Sequence, residues 1–360
     1  MIVVFAMAFA LWGLGAILRI PRKGRLYMVG LLYIGVLFIQ IALPMGHPLR
    51  LATGESAMLW IMIGVFAAIV VLYGQVIRVL KGRAEIKEQA EAVPVARSAS
   101  FSPAELERYA RHIVLREIGG PGQKALRDAK VLVIGAGGLG APALQYLAAA
   151  GVGTIGVIDD DVVENANLQR QVIHRDADIG MPKVFSAQKA MMEQNPYADV
   201  RPYHRRLTDV VAADLMAEYD VILDGTDNSE TRYLANETAV TAGKPLVSGA
   251  LSQWEGQISV FDPATDGPCY QCVFPQAAAP GLAPSCAEAG VIGPLPGVVG
   301  SMMALEAIKL LTGAGQALRG EMLIYDALWG ETRKIRLVRR GDCPVCGTIS
   351  GSEIETGVSA

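Results

Sequence analysis

The stretch VLVIGAGGLGAPALQYLAAAG, beginning at Val131, constrains this chain more than any other. A short apolar run passes into a cluster of glycines and then into an alanine- and leucine-rich run. Gly135, Gly137 and Gly140 fit the spacing G-x-G-x-x-G. Glycines at such a turn let the backbone approach phosphates. The N-terminus of the following helix adds unpaired N–H groups and a partial positive charge. Strand, glycine turn and helix in that order predict a nucleotide-binding α/β domain.

From Lys130 the apolar runs keep alternating with helical ones. Strands are expected over Val131–Ile134, Thr154–Ile158, Val221–Leu223, Leu246–Ser248, Ile258–Phe261 and Met322–Tyr325. This pattern predicts a Rossmann-like, doubly wound, mainly parallel sheet with helices on both faces. Ahead of it, Ser102, Pro103 and Glu105 form a capping box that starts a helix.

The glycine turn alone fits a dinucleotide-dependent oxidoreductase as well as an ATP enzyme. Asp159, in VIDDD, stands about 20 residues beyond the turn, where a ribose-binding carboxylate is expected. Beyond it the run DDDVVENANLQRQVIHRDADIGMPK carries Asn167, Arg170, Gln171, His174 and Lys183. Two cations near a nucleotide suit a triphosphate, since arginine grips phosphoryl oxygens bidentately and lysine acts as a point charge. The plainer reading of either cation alone is a solvated loop. VILDGTDNSETRYLAN then places Asp224 and Asp227 after an apolar strand. A carboxylate there can hold Mg²⁺ against phosphates, but Asp, Gly, Thr and Asn are also turn formers. The residues alone leave both readings open.

The N-terminal part reads as a different kind of protein. Met1–Leu18, Tyr27–Met45 and Ala57–Ile77 are long uncharged runs, which raise the mean hydropathy of the whole chain to +0.34. Each approaches the ~20 residues a helix needs to cross a bilayer. A signal peptide is excluded for the first run, because no positive charge precedes it and no small-residue cleavage site follows. RIPRKGR and RVLKGR flank the runs on one side, whereas GHPLRLATGES on the other holds one arginine against one glutamate. The positive-inside rule then puts the N-terminus outside and everything after Arg83 in the cytoplasm. No run holds an ionisable residue, so an anchor is expected rather than a transporter. The expected organisation is a transmembrane anchor over 1–83 (helices about 2–18, 27–45 and 57–77) and a linker over 84–101, followed by the soluble domain.

All five cysteines fall between Cys269 and Cys346. Cys269/Cys272 and Cys343/Cys346 are two C-x-x-C knuckles, and four thiolates suit a closed, structural Zn²⁺ site; a redox pair is the rival reading. Cys286 is left over, either a small buried residue or a nucleophile on a glycine- and proline-rich loop. Met302 and Met303 lie in an apolar helical run and are expected in packing. The net charge of -3 and pI near 5.9 give no reason to expect a nucleic-acid partner.

In order, RYARHIVLREIG, GAGGLGAPALQYLAAAGVGTIGVID, NLQRQVIH, GMPK, DGTDN, CYQC, PSCAEAGVIGPLPGVVGSMMALEAIKLL and CPVC resemble the successive motifs of the MoeB/ThiF/HesA family of bacterial ubiquitin-activating-enzyme-like adenylyltransferases. The resemblance spans roughly residues 102–347 and leaves out the apolar runs and the tail over 348–360. It implies adenylation of the C-terminal Gly-Gly carboxylate of a ubiquitin-like sulfur-carrier protein, with Mg·ATP consumed and pyrophosphate released. The resemblance further implies a place in molybdopterin or thiamine biosynthesis.

Carried onto this sequence, the resemblance implies that Gly135, Gly137, Gly138 and Gly140 line the ATP and that Asp159 binds the ribose. Asn167, Arg170 and Lys183 contact phosphates, and Asp227 holds Mg²⁺. Arg111 reaches the site from the other subunit of a homodimer. Cys269, Cys272, Cys343 and Cys346 hold structural Zn²⁺, and Cys286 is a candidate nucleophile for thioester or persulfide chemistry. With the anchor, the expected place is the bacterial cytoplasmic membrane, multi-pass, with the catalytic domain on its cytoplasmic face. The rivals are a non-catalytic membrane scaffold that recruits a carrier, a dinucleotide oxidoreductase, and a relative that serves tRNA modification or activates a peptide carboxylate on the same site.

Overall fold

The computed structural model describes residues 2–18, 22–54, 56–90, 100–277 and 289–347, with side chains omitted at 2, 22–23 and 75–90. The chain divides into two units, Met1–Val95 and Ala96–Ala360.

The first unit is helical: α1 Ile2–Ile17, α2 Arg22–Ala42, α3 Pro48–Thr53 and α4 Ala57–Ala90. The three long helices stand where the three apolar runs predict them. The short α3 is additional, inside what reads as a loop; it starts because Pro48 presets its φ and His47 accepts a hydrogen bond from the Leu49 N–H. Helix α4 runs past Arg83 to Ala90, so the first residues of the expected linker are helical. The remaining linker residues 91–99 lie outside the described residues. Val4, Val36 and Trp60 make a small core, and the Trp60 indole N–H donates to the Thr53 carbonyl at 3.1 Å. Most other apolar side chains face outward, among them Phe9 at 82% exposure and Phe66 at 69%.

The second unit is an eight-stranded sheet in the order β3-β2-β1-β4-β5-β6-β7-β8. Its strands are β1 Lys130–Ile134, β2 Thr154–Ile158, β3 Asp199–Tyr203, β4 Val221–Asp224, β5 Leu246–Leu251, β6 Glu255–Phe261, β7 Glu321–Asp326 and β8 Glu331–Arg336. Pairings are parallel from β3 to β5 and antiparallel from β5 to β8. The sheet is therefore mixed rather than mainly parallel. At two of the three antiparallel pairings the cause is local: the short connections β5–β6 and β7–β8 leave room only for hairpins, whereas a parallel return needs a long crossover. The helices are α5 Pro103–Ile113, α6 Gly119–Asp128, α7 Gly140–Ala150, α8 Lys183–Gln194, α9 Asp209–Ala217, α10 Ser229–Thr241, α11 Tyr270–Val273 and α12 Pro294–Thr312. Helix α5 carries the expected capping box, with Ser102 and Glu105 bonded reciprocally.

Side chains alternate across β1 and so feed two cores. Val131 and Val133 join Leu144, Leu147, Met191, Val299 and Met303 on the face of α7, α8 and α12. Leu132 and Ile134 join Met216, Tyr219 and Ala235 on the face of α9 and α10. Met303 is fully buried, as a packing role requires. Helix α12 is long and apolar enough to cross a membrane, yet 44% of it is buried inside this unit.

Register sets the functional edge. Ile134 of β1 pairs with Ile158 of β2 on one side and Asp224 of β4 on the other. The next residues, Gly135, Asp159 and Gly225, thus leave the sheet together. The strand order reverses at β1, where doubly wound sheets open a crevice for ligands.

Candidate nucleotide site

The glycine turn is folded tightly against β4. Gly135 has φ +92°, and a Cβ there would also come within 3.3 Å of the Gly225 carbonyl oxygen. A Cβ on Gly140 would strike the Gly135 carbonyl oxygen, so neither position accepts another residue without rebuilding the turn. The N–H groups of Gly137 and Gly138 make no hydrogen bond to the chain among the described residues, and α7 starts directly behind them. This is the concave set of donors that suits an anion.

Asp159 holds the turn from the β2 side. Its Oδ2 accepts the Ala136 N–H at 2.8 Å and its Oδ1 accepts the Asp161 N–H at 2.8 Å. Each oxygen keeps a lone pair for a further donor such as a ribose hydroxyl. The segment carrying Asn167 and Arg170 packs on the turn from above. The Arg170 Cγ lies 3.8 Å from a Cβ built on Gly138, and the Gln171 Nε2 lies 3.6 Å from one built on Gly137. The Arg170 guanidinium donates to the Asn167 Oδ1 at 3.2 Å, which aims it from its root. Lys183 opens α8 and is buried. Its Nζ donates to the Asp161 Oδ2 at 2.7 Å, while Asp161 itself is two-thirds exposed. Gly135, Gly137, Gly138, Gly140, Asp159, Asn167, Arg170 and Lys183 thus converge on one edge of the sheet.

The two aspartates that the sequence leaves equivalent part company in the structure. Asp224 is fully buried and saturated: Oδ1 accepts from the Thr226 N–H and hydroxyl, and Oδ2 accepts from the Ser248 hydroxyl at 2.9 Å. Arg232, itself buried, completes an ion pair with it at 3.4 Å. Asp227 is exposed on the same loop, and its carboxylate makes no ion pair or side-chain hydrogen bond among the described residues. The next residue, Asn228, caps α10 by accepting the Thr231 N–H at 2.8 Å. Of these two, Asp227 alone keeps the open carboxylate oxygens that a hydrated Mg²⁺ uses.

Arg111 is exposed at the end of α5 and makes no hydrogen bond or ion pair to this set among the described residues. Cys286 falls outside the described residues. The structure adds residues that the sequence names without a role, or not at all: Gln171, His174, Asp178, Ser186, and the Arg232 and Ser248 that hold Asp224. The available signal was the presence of Gln171 and His174 inside the segment that carries the cations. Nothing marked Ser186 or Arg232 apart from ordinary helix residues.

The four knuckle cysteines form a separate buried cluster. Sγ–Sγ distances are 3.8 Å for Cys269–Cys272, 3.6 Å for Cys269–Cys343 and 3.4 Å for Cys272–Cys346. All four sulfurs lie within 4.8 Å of one another. A tetrahedron of thiolates at Zn–S of about 2.3 Å has edges of about 3.8 Å, so the cluster fits Zn²⁺ with no position left open. These separations are far beyond an S–S bond of about 2.05 Å. Burial pushes the Cys269 thiol up and Cys346 up to about 11. Burial opposes ionisation at Cys343 too, but the N–H groups of Cys346 and Val345 bring it to about 7.

Fold and site together define a doubly wound α/β protein whose glycine-turn edge carries two cations and several exposed carboxylates, Asp227 among them. The ThiF family model matches residues 109–345, and the chain belongs to the ThiF family. Among curated proteins it is 51% identical over 251 residues to a sulfur carrier protein adenylyltransferase of Thermus thermophilus, covering 69% of this chain and 93% of that one. It is 48% identical to the SAMP-activating enzyme E1 of Haloferax volcanii, covering 71% and 94%. It is also 49% identical to a probable adenylyltransferase/sulfurtransferase, MoeZ, of Mycobacterium tuberculosis, covering 73% and 68%. Among solved structures the fold matches E. coli MccB with MccA-N7isoASN at TM-score 0.59 and 23% identity, over 67% of this chain and 74% of that one.

Proposed function

We propose that this chain is an ATP-dependent adenylyltransferase that activates the C-terminal Gly-Gly carboxylate of a ubiquitin-like sulfur carrier at a membrane surface, for molybdopterin or thiamine biosynthesis. The observation that carries the reading is the convergence of the glycine-turn amides, Asp159, Arg170 and Lys183 on one sheet edge beside the open Asp227. The name of the 51%-identical relative supports the carrier as substrate.

The chemistry follows from charge. A terminal carboxylate and a triphosphate repel each other, and both are ionised at neutral pH. No general base is needed. A carboxylate oxygen attacks the α-phosphorus, the bond to pyrophosphate breaks, and the products are an acyl-adenylate and pyrophosphate. The glycine-turn N–H groups and the start of α7 bind phosphate oxygens, and Asp159 takes the ribose hydroxyls. Arg170 and Lys183 neutralise charge that builds on the leaving group, with Lys183 exchanging Asp161 for phosphate. Asp227 would hold Mg²⁺, which when bound supplies Lewis-acid charge neutralisation. The four cysteines would hold Zn²⁺, which when bound ties the segment after β8 to α11. Arg111 completes the site from a second copy in a homodimer.

The N-terminal unit is read as a multi-pass anchor. Helical residues 24–42 and 57–74 have the length and apolarity to cross a bilayer, and their outward apolar faces would be costly in water. Helix α1, with 16 residues, is the shortest of the three.

The test is ATP–pyrophosphate exchange by the full chain in detergent with a Gly-Gly-ended carrier. Exchange that falls by about 10²–10³ in Asp227→Ala supports the reading. Absence of exchange with every such carrier would refute it.

A further inference from the structure

We propose that His174 is a positioning residue that orients the glycine turn for the nucleotide, acting through the Ala136 carbonyl. This inference rests on the nucleotide reading above and assigns a role within the same site.

His174 is buried, and its ring spans two supports. Nε2 lies 2.9 Å from the Ala136 carbonyl oxygen, and Nδ1 lies 2.9 Å from the Ser186 Oγ. A carbonyl only accepts, so Nε2 carries the proton and donates to it. Ser186, fully buried one turn into α8, lies 2.8 Å from the Asp178 Oδ2, and the Lys189 Nζ stands 3.6 Å from the Asp178 Oδ1. The single Ser186 proton serves the ring or Asp178, one at a time.

Ala136 is the residue between the first two glycines of the turn. Its N–H is taken by Asp159 and its carbonyl by His174. In a trans peptide the carbonyl and the following N–H point in opposite directions. Drawing the Ala136 carbonyl toward His174 therefore turns the Gly137 N–H the other way, and that is one of the donors left without a partner in the chain. The Ala136–Gly137 peptide plane is held at its carbonyl end by the buried His174 ring, and the preceding peptide is fixed by Asp159 through the Ala136 N–H, so the donor is oriented before any phosphate arrives.

The ring also couples the turn to the cations. His174 donates its backbone N–H to the Gln171 carbonyl at 3.1 Å, one residue after Arg170. Through Ser186 it grips α8, whose first residue is Lys183. Lys183, Asp159 and Asp178 are the charged groups that act on the ring. One side chain thus ties the amide donors to the segments that bear both phosphate-facing cations.

The test uses the full chain in detergent and Mg-AMPCPP, with affinity read by calorimetry. His174→Phe keeps the ring volume and loses the donor. His174→Gln restores an N–H near the Nε2 position. Apo thermal midpoints are recorded for both. Affinity is expected to fall roughly tenfold to a hundredfold in His174→Phe and to return to within about threefold of wild type in His174→Gln. Ser186→Ala, which leaves the Ala136 bond in place, is expected to have the smaller effect. Equal losses in His174→Phe and His174→Gln, tracking their thermal midpoints, would assign the ring to packing and overturn the proposal, as would wild-type affinity in His174→Phe. If the wild type itself fails to bind Mg-AMPCPP, the nucleotide reading falls, and the inference falls with it; His174 variants that alone lose affinity leave that reading standing.

Discussion

The two units of this chain spend their apolar residues in opposite ways. In the α/β unit, β1 is buried from Val131 to Ile134 and feeds a core on each face, while polar groups such as Asp224, Arg232 and Ser248 are buried with partners. In the helical unit a core of three side chains serves three long helices, and Phe9, Phe38 and Phe66 face outward. Composition alone does not separate these cases, since helix α12 is nearly as apolar as a membrane span. Context separates them. Helix α12 is packed on the sheet, whereas the helices of the first unit present apolar side chains all round, as lipid-facing helices do.

Breaking the buried charge cluster should give the largest effect on stability. Arg232→Met leaves Asp224 buried without its counter-ion, and a loss of about 3–5 kcal/mol is expected by denaturation of the α/β unit. A loss below 1 kcal/mol would mean that Asp224 is reached by water.

Phe66→Lys probes the other unit. In a bilayer this charge costs about 2.5–3.5 kcal/mol near a helix centre, so the fraction of chain in the membrane pellet should drop. In a water-exposed helix the same change would leave the share of chain that floats with membranes in a density gradient unaltered, so a loss from that fraction decides between the two settings.

A smaller effect concerns pH. Burial, with Lys183 adding to it, holds the His174 pKa below its ordinary value. Above about 6.5 the ring is neutral folded and unfolded, and it contributes no pH dependence. Below that, the unfolded ring takes up a proton that the folded ring resists, so stability declines as pH falls from about 6.5 through the folded pKa. Thermal midpoints between pH 7.5 and 5.5 should slope downward in the wild type and less so in His174→Gln.

The smallest effect is at the start of α5. Ser102→Ala removes the capping box and should cost about 1 kcal/mol, without changing nucleotide affinity.

The comparison also explains what the sequence could and could not reveal. The glycine turn, Asp159, Arg170 and Lys183 were legible because their chemistry and order repeat a known logic of strand, turn and helix. The two missed strands are the two sheet edges. β3 reads DVRPY, with a proline that only an edge tolerates, and β8 reads ETRKIR, exposed along its whole length. Neither carries the alternation or the apolar run that marks an interior strand. Asp224 and Asp227 could not be told apart because their difference is made by Arg232 and Ser248, which come from α10 and β5. The His174 bridge was hidden for the same reason: Ala136 lies 38 residues away along the chain.

The central claim is that the cationic sheet edge joins a protein carboxylate to the α-phosphate of ATP. Intact-mass analysis of a Gly-Gly-ended sulfur carrier after incubation with the full chain and Mg·ATP tests it most directly. The account predicts transient addition of one AMP at the C-terminal carboxylate, lost in Lys183→Ala. A carrier that stays unmodified while the wild-type chain binds a nicotinamide dinucleotide in preference to ATP would contradict it.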